Sequence, residues 1–151
     1  VDNAGADFVL GVMPLARELA LHGTIIVLAA NEGPAEGDIL ADEAIDVVDH
    51  LAASDPDLAA LIQAGMLEVV STGGALPVID LSDVSSELND AAADADLVVL
   101  EGMGRAVQTN LDAAMTVSRL NLAQVDAPAV AARLGGEAPD CVCRYAPVEK
   151  A

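Results

Sequence analysis

The chain is short of aromatic side chains, of lysine and of basic charge as a whole. Its 151 residues include one Phe, one Tyr and no Trp. With only two aromatic rings, the chain offers no platform on which bases or sugars stack. The Lys and Arg residues number 6 against 25 Asp and Glu, for a formal net charge of −19. That balance cannot neutralise a row of phosphates, so it excludes nucleic acid as a partner.

The acidic composition also suggests a setting. A compact chain with this much like charge repels itself unless salt screens it, and at molar salt the Debye length falls to about 3 Å. We therefore expect a halophilic protein in a cytoplasm of high salt concentration; the alternative is an ordinary acidic protein from a high-GC genome. The longest apolar run, residues 8–16, is about half of what a membrane span needs, and no charged leader segment precedes it. The sequence thus predicts a cytoplasmic protein with no membrane partner.

Cysteine and histidine give little indication of a site. Cys141 and Cys143 stand two residues apart in a predicted strand, too close along the chain for a comfortable disulfide. We interpret them as core or edge residues rather than as a redox or metal pair. His22 and His50 are interpreted as surface residues.

Short β-branched runs alternate with longer Ala- and Leu-rich runs along the chain. This rhythm predicts a parallel sheet covered by helices, and the uninterrupted apolar runs favour strands buried on both faces. The predicted strands are residues 24–30, 66–71, 96–100, 119–125 and 140–145. The predicted helices are residues 7–22, 40–53, 56–64, 84–95 and 128–134. Pro14 predicts that the first helix is kinked or begins later.

The first five residues look like the end of a strand that is itself missing. The chain also has no initiator Met. We therefore expect one domain over residues 1–151, truncated at its N-terminus; a genuine mature terminus is the alternative.

Polar residues follow three predicted strands: Asp2 with Asn3, residues 31–38, and residues 101–105. The carboxyl ends of parallel strands open onto one edge of a sheet, so these residues are expected to converge. The carboxylates of Asp2 and Asp38 and the amide oxygen of Asn3 would make a hard oxygen site suited to Mg²⁺ or Mn²⁺. On pattern alone, solvated acidic loops remain the alternative.

The Gly102-Met103-Gly104-Arg105 segment suggests phosphate binding. It departs from a dinucleotide fingerprint, because Val107 stands where that pattern needs Gly or Ala. Backbone N–H groups and the guanidinium of Arg105 suit two phosphate oxygens. A tight turn with a surface arginine is the alternative.

Several longer segments together resemble one family. They are residues 1–7, 15–19, 23–24, 30–38, 96–107, 109–110 and 134–136, in that order. The chain resembles the domain of unknown function 89 family, the damage-control phosphatases. The run from Glu101 to Ala106 is similar to the branch found as the carboxyl-terminal domain of the fourth pantothenate kinase.

The resemblance implies a Rossmann-like three-layer α/β sandwich with a mostly parallel sheet. It further implies a divalent metal (Mg, Mn, Co or Ni) and hydrolysis of small phosphate monoesters such as 4'-phosphopantetheine, its damaged forms or sugar phosphates. Carried over by position, Asp2, Asn3 and Asp38 would hold the metal, and Asn31 would support the second loop. The phosphate side of the pocket would be lined by Glu101, Gly102, Gly104 and Arg105. Whether Asp2 or a metal-bound water attacks the phosphoryl group stays open.

Two lysines of the family are replaced here, by Asn121 and Asp126. Asn121 stands at the position of one of these lysines, and the resemblance therefore places it among the substrate-binding residues. Arg119 lies two residues earlier, on the same face of a strand, and we hypothesise that it substitutes for the missing cation. The replacements also favour an alternative, a catalytically silent domain that binds metal and metabolite. A protein carboxyl methyltransferase is a third hypothesis with little support in the sequence.

Overall fold

A computed structural model describes residue 1, residues 4–35 and residues 37–148. Two of the predicted metal ligands, Asp2 and Asn3, therefore lie outside the described residues. The chain divides into two compact units, Val1–Ala91 and Ala92–Ala151. Helices and strands occur in both units. The predicted α/β class is confirmed, and its strands form two sheets.

The first unit contains two parallel strands and the helices that follow them. Its elements are a π-helix (Phe8–Val12), α1 (Met13–Leu21), β1 (Ile26–Ala30), α2 (Ala41–Ala52), α3 (Pro56–Gln63) and β2 (Leu67–Ser71). A further helix, α4 (Ser86–Ala93), spans the boundary between the units. Residues 6–21 are helical without a break, and the π-helix lies directly before Pro14 in the chain. Pro14 has no N–H to donate to the preceding turn, so the helix departs from regular α geometry next to the proline rather than beginning after it.

Strands β1 and β2 pair in parallel, with Ile26 opposite Leu67 and Ala30 opposite Ser71. Helix α3, the second of the two helices between them, begins where the Asp55 side chain accepts from the backbone N–H groups of Asp57 and Leu58. Arg17 of α1 donates from Nε to Oδ2 of Asp55 at 2.6 Å. This hydrogen bond is the main reason why the pKa of the Asp55 carboxyl lies below its usual value. The contact fastens the start of α3 to α1.

The core of the first unit is built from alanine and aliphatic side chains around the single phenylalanine. Small alanines let the helices approach the sheet closely, and Phe8 fills the largest share of the space. The buried members are Phe8, Met13, Ala16, Leu28, Ala30, Ile39, Ala41, Ala44, Val48, Leu58 and Leu67.

The second unit has a mixed sheet. Its elements are β3 (Leu97–Glu101), a second π-helix (Met103–Thr109), β4 (Ser118–Val125), α5 (Pro128–Arg133) and β5 (Asp140–Ala146). Strand β4 is central: β3 pairs with it in parallel, and β5 pairs with it in the antiparallel sense. The segment that connects β4 to its antiparallel neighbour β5 contains one short helix, α5.

Residues on the two faces of this sheet differ in burial. Leu100 and Val125 pack with Ala106 and Val107 of the second π-helix. On the opposite face, Val99 is 45% exposed. The prediction of burial on both faces is wrong for this unit, because an apolar run does not say which of its faces has a partner.

Within the described ranges, no helix is both long enough and apolar enough to cross a membrane.

Phe8→Ala should cost about 3–5 kcal/mol of the free energy of unfolding, because Phe8 is fully buried and its ring leaves a cavity. The matched control is Leu10→Ala in the same π-helix, since Leu10 is 75% exposed and should change stability by about 0.5 kcal/mol or less. Urea denaturation at high salt compares the two variants. An equal loss in both would contradict the packing described for the first unit.

Candidate functional site

The loop after β1 turns back on Asn31. Asn31 is the residue that follows β1, and it forms an isolated parallel bridge with Leu40. Its carbonyl oxygen accepts from the backbone N–H of Ala41 at 2.7 Å, at the start of α2. This closure places Asp38, near the end of the loop, beside the side chain of Asn31.

Asn31 and Asp38 are in direct contact. Nδ2 of Asn31 donates to Oδ2 of Asp38 at 3.0 Å and to the carbonyl oxygen of Leu76 at 2.9 Å. Both side chains are buried: Asp38 is 8% exposed and Asn31 is 3% exposed. Burying a carboxylate is costly unless hydrogen bonds compensate, and this one is bonded to the amide. The structure thus brings together two of the residues that the sequence predicted for the site.

A third residue of this network, Thr72, is absent from the sequence prediction. Its Oγ1 donates to Oδ1 of Asn31 at 3.3 Å and accepts from the backbone N–H of Gly74 at 3.2 Å. Thr72 follows β2 directly, as Asn31 follows β1, and its N–H donates to the carbonyl oxygen of Ala30 at 2.8 Å. The strand-end argument that selected Asn31 applies equally to Thr72 and would have found it.

The described residues hold one of the three predicted metal ligands. The Asp38 carboxylate supplies hard oxygen donors of the kind that divalent cations prefer, and the amide of Asn31 fixes its orientation. Ala4, the residue after Asn3, donates its N–H to the carbonyl oxygen of Gly37 at 2.9 Å. Gly37 adopts a φ of 85°, which glycine tolerates without strain. Among the described residues, no three His, Cys, Asp or Glu side chains form a group that would hold a metal ion.

The glycine segment of the second unit leads into the second π-helix. Gly102 is buried with a φ of 95°, donates to the carbonyl oxygen of Leu122 at 3.0 Å and accepts from the N–H of Ala106 at 2.8 Å. The left-handed φ explains why this position is glycine. Arg105 is only 4% exposed, so the alternative of a surface arginine is wrong. Single π turns are common at functional sites, and this one was not foreseen.

Two polar residues close the far end of the same π-helix. Oγ1 of Thr109 donates to the carbonyl oxygen of Gly104 at 2.9 Å, and Nδ2 of Asn110 donates to that of Arg105 at 3.1 Å. These side-chain bonds add to the backbone hydrogen bonding of the π-helix. The backbone that carries Arg105 is held at this end by side chains.

Asn121 and Asp126, where the resemblance predicts replaced lysines, differ in environment. Asn121 is fully buried and bonded to Arg119, with Oδ1 accepting from Nε at 3.1 Å. Asp126 is exposed, and its Oδ1 accepts from Nε2 of Gln124 at 2.8 Å. The contacts of Arg119 and Asn121 with a substrate phosphate stay predictions.

The remaining polar candidates lie at the surface. Cys141 and Cys143 are free and exposed on β5, an outer strand of the sheet of the second unit. His22 and His50 are exposed as well.

Residues 1–142 match the model of the damage-control phosphatase ARMT1-like domain. The chain belongs to this family. The resemblance drawn from the sequence motifs is thereby confirmed.

Individual relatives support the same assignment. The chain is 43% identical to a damage-control phosphatase of Arabidopsis thaliana, over 99% of this chain and 40% of that protein. It is 32% identical to the 4'-phosphopantetheine phosphatase of Mus musculus, over 95% of this chain and 24% of that protein. The chain thus spans less than half the length of these damage-control phosphatase relatives.

A solved structure supports the fold. The crystal structure of a DUF89 family protein from Pyrococcus horikoshii matches with a TM-score of 0.56 and 24% identity. The match covers 78% of this chain and 35% of that one. At this identity the likeness shows the fold alone.

Thr72→Val should destabilise the first unit by about 1–3 kcal/mol, because it leaves Oδ1 of Asn31 and the N–H of Gly74 without their partner in a buried site. Thr24→Val is the matched control, since Thr24 is exposed before β1. Thermal or urea unfolding measures both changes. If Thr72→Val were as harmless as the control, Thr72 would not support Asn31.

Proposed function

We propose that residues 1–151 act as one catalytic domain of a metal-dependent phosphatase that hydrolyses small phosphate monoesters. The family assignment supports the phosphatase class. The observation that carries the metal dependence is the buried Asp38 carboxylate, held by Asn31 through a 3.0 Å hydrogen bond in a family-matched loop.

Asp38 would hold the divalent cation together with Asp2 and Asn3. Its oxygen donors suit Mg, Mn, Co or Ni. A divalent cation in this place supplies positive charge that polarises the phosphoryl oxygens of the substrate. The part played by Asn31 is to hold the Asp38 carboxylate in one orientation, as outer-shell partners of metal ligands generally do.

Arg105 and the backbone before it would bind the phosphoryl group. A guanidinium presents two parallel N–H donors to two oxygens, and it remains charged at all relevant pH values. In the transition state it neutralises the charge that builds on the transferring group. Glu101, Gly102 and Gly104 would line the same side, with the glycines letting the backbone come close to the substrate.

One of the relatives supports a proposed substrate class. The mouse relative is named a 4'-phosphopantetheine phosphatase. We propose that the substrate is a small phosphorylated metabolite, namely 4'-phosphopantetheine, one of its damaged forms or a sugar phosphate. The formal charge of −19 supports work in a cytoplasm of high salt concentration.

Hydrolysis of p-nitrophenyl phosphate in molar KCl tests the proposal. We expect turnover that EDTA removes and Mg²⁺, Mn²⁺, Co²⁺ or Ni²⁺ restores. Asp38→Asn should lower the turnover by at least about 100-fold. Loss of a residue that only supports a metal ligand costs up to about 100-fold, and this variant removes a ligand itself. Asp83→Asn is the matched control, since Asp83 is an exposed acid of the same unit.

Two results would overturn the proposal. Turnover that persists in EDTA, or equally in Asp38→Asn, would rule out this metal site. Metal-dependent thermal stabilisation without any turnover would favour the alternative, a silent domain that binds metal and metabolite.

A further inference from the structure

Two polar side chains of β4 extend beneath the second π-helix. Arg119 and Asn121 lie two residues apart on the face of the sheet that also carries Leu100, since Asn121 is paired with Leu100 in the parallel register. This is the face on which Ala106 and Val107 of the π-helix pack. Both side chains are buried, Arg119 at 7% exposure and Asn121 at 0%. Buried polar groups in an apolar layer need specific partners.

Those partners are backbone carbonyl groups of the π-helix and of the turn after it. Nδ2 of Asn121 donates to the carbonyl oxygen of Ala106 at 2.7 Å. Nη2 of Arg119 donates to that of Leu111 at 2.7 Å. Nε of Arg119 also donates to Oδ1 of Asn121 at 3.1 Å, which links the two side chains. The result is a continuous set of hydrogen bonds from β4 to both sides of residues 107–110.

We propose that Arg119 and Asn121, together called the β4 brace, are positioning residues that hold the second π-helix and present Arg105. Ala106 is the neighbour of Arg105 in the chain, so a bond to its carbonyl oxygen fixes the backbone at Arg105. This assigns Arg119 a role other than the substitute for a missing lysine that the sequence suggested. Both ends of the Asn121 amide bond to protein atoms, and its side chain is fully buried.

The chemistry of the two residue types fits this role. Arginine is planar and donates from fixed directions to two acceptors, here Oδ1 of Asn121 and the carbonyl oxygen of Leu111. Lysine keeps the charge but has no such fork. Asparagine donates and accepts at once, and aspartate at neutral pH only accepts. Conservative variants therefore break defined links of the brace.

The test uses Arg119→Lys and Asn121→Asp in the complete chain, without substrate. Asn121→Asp keeps the acceptor for Arg119 and loses the donor to Ala106. We expect the amides of residues 103–111 to exchange with solvent at least about ten-fold faster, a change equivalent to about 1.4 kcal/mol. Arg133→Gln is the matched control, since Arg133 is an exposed arginine of the same unit.

A second readout reports on Arg105 itself. The chain has few arginines, so the Nε–H resonances of a ¹⁵N-labelled sample can be assigned by single Arg→Lys variants. We expect the Arg105 signal to shift or broaden in both brace variants and to stay in place in Arg133→Gln. A role confined to general stability would leave this signal unchanged in the folded molecules.

The outcomes separate the brace from the proposed function. Unchanged exchange over residues 103–111, or an unchanged Arg105 resonance, would overturn the brace. Loss of protection spread evenly over β3, β4 and β5 would also overturn it, because the residues would then support the whole unit. The link to a substrate rests on the proposed function, but both readouts need no turnover, so an inactive wild type would refute only the phosphatase.

Discussion

The polar network of the first unit is organised around the buried carboxylate of Asp38, which needs hydrogen-bond partners. Asp38 is buried, and an unpaired charge there would cost several kcal/mol. The amide of Asn31 meets this need at 3.0 Å. Thr72 donates to the amide oxygen, which directs the amide NH₂ towards Asp38. The closing of the loop onto α2 follows from the same residue, because the backbone of Asn31 bonds to Ala41.

In the second unit, side-chain hydrogen bonds fix backbone carbonyl groups around Arg105. Arg105 is buried in a π-helix whose carbonyl groups are bonded by side chains from three places: Thr109, Asn110 and the β4 brace. The surrounding core is small and aliphatic, so polar contacts rather than bulk fix the backbone. Positions that hydrogen bonds fix from several sides are suited to hold a ligand in one geometry.

Much of the fold was accessible from the sequence, and particular contacts were not. The apolar runs and the glycine stops predicted the strands and most helices within two residues, because periodicity and stop signals are local. The site residues Asn31 and Asp38 came from strand ends and family motifs. The π-helix at Met103–Thr109 escaped prediction, since one of its stabilising contacts comes from Asn121 of β4, which is distant in the sequence. Spacing gave the face of β4 on which Arg119 lies but not its partners, Asn121 and the carbonyl group of Leu111.

The most direct measurement of the central claim is the affinity for Mn²⁺ in molar KCl, followed by the electron paramagnetic resonance of free Mn²⁺. Asn31→Ala leaves the Asp38 carboxylate in the chain and removes the amide that orients it. If Asn31 holds a metal ligand in place, affinity at the tightest site falls by about 10–100-fold. An unchanged affinity in Asn31→Ala would contradict the claim that this buried pair is built for a metal.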